Sequence, residues 1–274
     1  MLGNGPADLP WRVEDLDFSR VDLQRIRHDA DMLYLLAASS FIEIASDTYA
    51  SNLAEYFSGD AEVVAWLSQQ WEQEEIQHGR ALREYVKHVW PEFDWQAAYD
   101  AFFAEYSLLC TVDEFEPSRG LEMVARCVVE TGTSTFYRAI HALTDEPVLQ
   151  ELVTHIRADE VRHYKYFYRY FNRYNASEHN SRRRIVAAVG RRLIEARNSD
   201  AEIGLWHAFH QAHRGALRDG AAFKELLARV NRRVRRQYPV RQAVKMLLKP
   251  LHLPPALAAV QTPLAFVVER LILR

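Results

Sequence analysis

The pattern Glu-x-x-His occurs twice in this chain of 274 residues, as Glu75-Ile76-Gln77-His78 and as Glu160-Val161-Arg162-His163. On a helix, positions i and i+3 share a face, so each pattern aims a carboxylate and an imidazole at one point. A single occurrence means little, since about one is expected by chance in a chain of this length. The spacing around the two is more restrictive. Glu43 precedes the first by 32 residues, and Glu130 precedes the second by 30. Chain breakers are few: ten Gly and ten Pro in all, with four of the prolines between Pro250 and Pro263. Long helices are therefore the expected elements. Glu43 to the turn at Ser58 and Asp60 to Glu75 are each 15 residues, roughly 22 Å out and 22 Å back along a helix. Glu130 to Thr144 and Asp145 to Glu160 are 14 and 15 residues, again roughly 21–22 Å each way. Each lone glutamate thus returns level with a Glu-x-x-His pair. Two such hairpins make an all-α four-helix bundle with four Glu and two His at mid-height.

Periodicity predicts helices over about 21–56, 61–89, 121–143 and 147–174, with a shorter crossing helix over 94–109 and Asp60 as an N-cap. Residues 1–19 read as an N-terminal arm and 20–176 as the bundle. A basic C-terminal extension, 177–274, has helical segments near 182–197, 201–217 and 221–248. No strand-period alternation is visible.

A bundle interior does not hold four bare carboxylates cheaply, because each buried ion costs several kcal/mol unless compensated. Two divalent cations supply +4 against the −4 of Glu43, Glu75, Glu130 and Glu160, with His78 and His163 neutral. Imidazole with carboxylate oxygen suits iron or manganese better than soft metals. The plain alternative is a set of surface glutamates and scattered histidines on ordinary amphipathic helices.

A Glu from each of two helices and Glu-x-x-His from each of the other two is the ligand pattern of ferritin-like di-iron and di-manganese proteins. The chain resembles that superfamily. The stretches Trp71-Glu72-Gln73-Glu74-Glu75-Ile76-Gln77-His78-Gly79 and Ala158-Asp159-Glu160-Val161-Arg162-His163 are similar to the paired E-E-N-R-H-G and D-E-K-R-H motifs of soluble acyl-carrier-protein desaturases. The likeness covers roughly residues 20–175. Gln77 stands where that family has Arg, and the Glu-to-motif spacings are nearer to those of bacterioferritin-like bundles. The resemblance implies two iron ions, with manganese at one or both positions as the variant, and bridging by Glu75 and Glu160. It implies oxygen activation and oxidation of an apolar substrate, free or carrier-bound and fatty acyl in the nearest case. Electrons would come from a ferredoxin or reductase. Iron handling without an organic substrate, as a ferroxidase, is the alternative within the superfamily. A binding module with structural metals, recognising its partner through the basic tail, is the alternative outside it.

Several neighbours of the ligands are candidates for a role. Thr133 lies three residues after Glu130, on the same face. By resemblance it relays protons during oxygen activation, and otherwise its hydroxyl bonds back to Val129. Gly132 either opens space beside the ligands or permits close helix packing. Asp159 and Glu74 each precede a ligand glutamate and are placed to accept a histidine's second N–H. For Glu74 a solvated face is the alternative. Arg162 is placed to neutralise either acid. Cys127 reads as buried filler, Phe41, Phe136 and Tyr137 as core, and the aromatic run from Tyr164 to Tyr174 as packing with room for an electron relay. His207, His210 and His213, at three-residue steps, read as a polar helix face, with a metal site as the rarer alternative.

Charge divides the chain. Residues 180–274 carry 19 of the 34 Lys and Arg but 6 of the 37 Asp and Glu, a net +13, which leaves −16 on the rest. The basic extension either pairs with the acidic body or meets an acidic partner such as a carrier protein, or a membrane surface through Leu264 to Leu273. No nucleic-acid reading motif accompanies the charge. A homodimer is the expected assembly. Two cysteines, Cys110 and Cys127, exclude a disulfide framework and point to a reducing, cytoplasmic setting. The first residues lack the basic and apolar regions of a signal peptide. The longest uncharged run, Pro250 to Val268, is broken by prolines and makes a poor membrane span.

Overall fold

A computed structural model describes residues 9–109, 115–195 and 200–254, together with 263, 265 and 266. Cys110 and most of the apolar end named above lie outside the described residues. The protein is all-α, with no strand among the described residues. The helices are α1 (Leu23–Ile26), α2 (Ala30–Ile44), α3 (Ser46–Tyr56), α4 (Ala61–Trp66), α5 (Glu72–Val89) and α6 (Trp95–Tyr106). They continue as α7 (Arg119–Leu143), α8 (Pro147–Glu178), α9 (Arg182–Glu195), α10 (Asp200–Ala212), α11 (Ala221–Gln237) and α12 (Val240–Leu248). Contacts divide the chain into two compact units. The first comprises Met1–Asp113, Glu146–Leu152 and Asp200–Leu227, and the second Glu114–Asp145, Val153–Ser199 and Ala228–Arg274.

In the first unit, short acidic side chains start the helices. Asp29, Asp60 and Asp94 accept the backbone N–H of Met32, Val63 and Ala97 at 3.0, 3.3 and 3.1 Å. Gly59 supplies the left-handed turn before Asp60, at φ 90°. α2 is buried on nearly every side because α5, α6 and α10 all pack against it. Its contact with α5 depends on Gly79. A Cβ there would lie 2.7 Å from the Ile44 nitrogen and 2.9 Å from the Ser40 carbonyl oxygen. Glu146 closes the start of α8, accepting from Val148 N, Leu149 N and the Tyr85 hydroxyl at 3.2, 2.7 and 2.7 Å.

Two breaks depart from the periodic expectation. The helix expected over 21–56 is interrupted at Arg27–Asp29 and again at Ala45, whose ψ of 0° ends α2 one residue after Ile44. The helix expected over 61–89 contains a π turn, Leu67–Trp71, in which Glu72 N–H donates to Leu67 O. Both sites lie close to metal-candidate residues, where single-turn π segments are common.

In the second unit, α9 and α12 pack on α7. Ser118 caps α7 through Leu121 N at 3.4 Å. Arg182 donates from Nε and Nη2 to the carbonyls of Leu251 and His252, both at 3.0 Å, which ties the start of α9 to the end of the α12 segment. The helix expected over 221–248 is split at Tyr238–Pro239, because the residue before a proline is pushed out of the helical region. The segments after residue 180 thus find different neighbours: α10 lies on α2 and α6, whereas α9 and α12 lie on α7.

Candidate metal centre

Each unit carries one buried carboxylate–imidazole cluster. In the first, Glu43 sits at the end of α2, and α5 presents Glu75 and His78 one turn apart. The close approach allowed by Gly79, the residue after His78, brings the two helices together at this level. His78 Nδ1 lies 3.6 Å from Glu75 Oε2 and 3.9 Å from Glu43 Oε2. One ligand atom from each of the three lies within 4.8 Å of the others, and all three residues are buried. Burial, with the Glu75 charge beside it, pushes the Glu43 carboxyl up to about 8.

Trp11 of the N-terminal arm meets this cluster in two ways. The Trp11 indole lies parallel to the His78 ring, 5° between planes and 6.2 Å between centroids. Gln77 Nε2 donates to the Trp11 carbonyl at 2.9 Å. Gln77 stands where the resembled family has Arg, and here it fastens the arm. Glu74 is fully buried, so it forms no solvated face, and it accepts from Gln70 of the π turn at 3.3 Å.

In the second unit, α7 supplies Glu130, and α8 supplies Glu160 and His163. His163 Nδ1 is 3.6 Å from Glu130 Oε2. All three residues are buried, again with ligand atoms within 4.8 Å of one another. The Thr133 hydroxyl is 2.5 Å from Glu160 Oε2, 3.3 Å from Glu130 O and 3.4 Å from Val129 O. It has one proton to donate, and the shortest contact makes Glu160 its principal acceptor. Asp159 is buried and accepts from Arg162 Nη2 at 2.7 Å, the pairing that places the arginine's charge behind the cluster. Burial, with Glu130 nearby, pushes the Cys127 thiol up, so it stays protonated and unreactive.

Other sequence candidates lie elsewhere. A Cβ on Gly132 would meet nothing within 4 Å, and the residue is exposed, so close packing is not its purpose. His207 is 2.9 Å from Glu105, His213 bonds the Tyr34 hydroxyl at 3.0 Å, and His210 packs on Trp206. These three histidines face three different partners. Phe41 sits among Trp95 and Phe102 in the core. The sequence did not mark Trp11, and it gave no sign that Tyr164, first of the aromatic run, donates its hydroxyl to Met246 O at 2.7 Å. Nothing in a periodic reading identifies an aromatic side chain on an arm or a backbone acceptor on a tail.

The donor set of each cluster, two carboxylates and one imidazole, carries −2 with the histidine neutral and fits a divalent iron or manganese ion. Comparison with known families, curated proteins and solved structures finds no match to this chain.

Proposed function

We propose that the chain is a ferritin-like four-helix bundle that binds two iron ions and activates oxygen to oxidise an apolar substrate. Glu43, Glu75, His78, Glu130, Glu160 and His163 would hold the metals. The observation that carries this reading is the duplication: two buried clusters, each built from a lone glutamate and a Glu-x-x-His pair with ligand atoms within 4.8 Å. Bound there, reduced iron would supply the redox chemistry of oxygen activation, with electrons drawn from a ferredoxin or reductase.

The chain's own residues do the rest. Burial excludes bulk water, which strengthens each charge interaction. Glu43, held neutral near pH 7 in the metal-free protein, gives up its proton when a cation enters. The Thr133 hydroxyl holds a proton at Glu160 Oε2 and can return it to a basic oxygen formed nearby. Arg162 pairs with Asp159 behind the ligands. Trp11 covers one face of His78 and limits solvent at that imidazole.

The test loads anaerobic protein with Fe(II), admits oxygen, and follows absorption with and without fatty acyl chains. Two irons per chain and oxygen uptake accelerated by the acyl chain are expected. Fewer than two irons, or no oxygen reaction, would overturn the reading. Oxygen uptake indifferent to every apolar substrate would convert it to iron oxidation alone.

A further inference from the structure

We infer that the basic face of the second unit docks the protein on an anionic lipid surface. From residue 226 to 268 the chain carries eight Lys and Arg and no Asp or Glu. Arg241 and Lys245 stand at i and i+4 on α12, Lys249 follows in the 3-10 turn that ends it, and all three are exposed. The opposite side of α12 is engaged: Val240, Ala243 and Val244 are buried, and Gln242 accepts from Arg138 of α7 at 2.6 Å. Arg232, Arg235 and Arg236 are exposed at the end of α11, and Arg183 and Arg184 at the start of α9. The bonds from Arg182 to Leu251 O and His252 O bring the start of α9 to the 3-10 turn after α12. Among the described residues, Arg183, Arg184, Arg232, Arg235, Arg236, Arg241 and Lys245 make no ion pair.

Charge alone fits any polyanion. The apolar side chains among these cations favour lipid. On α9, Val186, Leu193 and Ile194 are 53, 41 and 64 % exposed, and they lie on the side opposite buried Ile185 and Ala188. A helix that turns an apolar strip to solvent beside guanidinium groups matches the two layers of a membrane surface, anionic headgroups over acyl carbon. A nucleic acid would satisfy the cations and leave the strip in water. No helix among the described residues is long and apolar enough to cross a membrane, so the contact is peripheral.

Flotation of the full chain with vesicles tests this, using equal parts phosphatidylglycerol and phosphatidylcholine against phosphatidylcholine alone. Metal is not needed, so the outcome is independent of the oxygen-activation reading. Binding to the anionic vesicles that weakens with salt is expected. Replacing Arg236, Arg241 and Lys245 by Gln lowers that affinity about a hundredfold, at roughly fivefold per charge. A Leu193→Ser, Ile194→Ser variant loses the part of the binding that survives salt. All substituted side chains are exposed, and circular dichroism checks that the helices persist. Equal binding to both vesicle types, no binding, or an unaltered affinity in the triple variant would overturn the inference. So would tighter salt-dependent binding to duplex DNA, or cations consumed by a second copy of the chain, seen as a low-salt dimer that the triple variant dissolves.

Discussion

Thr133 and Glu160 are 27 positions apart in sequence and 2.5 Å apart in space, hydroxyl to carboxylate, beside a buried imidazole. A threonine there adds a proton donor without adding charge. Thr133→Val keeps the shape and removes the donor. It is expected to leave iron stoichiometry unchanged while slowing substrate oxidation about a hundredfold, the low end for a positioned proton-transfer group. Thr133→Ser restores the rate. Single-turnover oxygen kinetics read both, and equal rates in all three proteins would remove Thr133 from the chemistry.

The ligand set makes separable demands on metal content. Glu160→Ala removes a ligand that the resemblance implies both ions share, and loss of both irons is expected by elemental analysis. His78→Ala removes a ligand to one ion, and one iron per chain is expected to remain. If Glu160→Ala still held two irons at unchanged affinity, the assignment of ligands would be wrong.

Glu43 makes the metal-free protein sensitive to pH. Its carboxyl ionises near 4.5 in the unfolded chain and near 8 in the folded one. Between those values the folded state binds the additional proton, so stability falls as pH rises from about 4.5 to about 8. The melting temperature of metal-free protein should drop across that window, and Glu43→Gln should flatten the drop. A divalent ion replaces the proton, so the stabilisation it gives should grow over the same interval. Thermal melts at several pH values, with and without metal, check both signs.

Two helix-interior glycines should respond oppositely to alanine. At Gly79 the added carbon meets the backbone of α2 at 2.7 and 2.9 Å, and the helices must separate. Overpacking of this kind costs about 1–3 kcal/mol, and metal affinity should fall with it because Glu43 and His78 move apart. At Gly132 the added carbon meets nothing, so alanine should stabilise α7 by about 0.5–1 kcal/mol. Denaturant melts of the two variants check the contrast.

What was legible in the sequence follows from how local its cause is. The Asp60 cap and the Gly59 turn depend on residues a few positions apart, and they appear as expected. The pairing of Glu75 with His78 and of Glu160 with His163 follows from helical period alone, and the return of each lone glutamate to its pair follows from counting. The break at Ala45 has no glycine or proline to announce it. The same is true of Trp11 over His78, a contact made by a residue 67 positions away. Nor does a charge count on the extension reveal that α10 packs on α2 while α12 packs on α7. These depend on tertiary packing, which periodicity does not report.

The π turn at Leu67–Trp71 makes α5 one residue out of step with α4. Were those five residues to tighten into ordinary helix, everything after them would swing by about 100° and advance about 1.5 Å, carrying Glu75 and His78 away from Glu43. Conversely, losing a single residue from the turn would let the helix close smoothly with both ligands still aimed where they are. That short stretch is therefore the place where this lineage can absorb a one-codon deletion without disarming the centre, and the place where a mere change of winding would disarm it with no change of sequence at all.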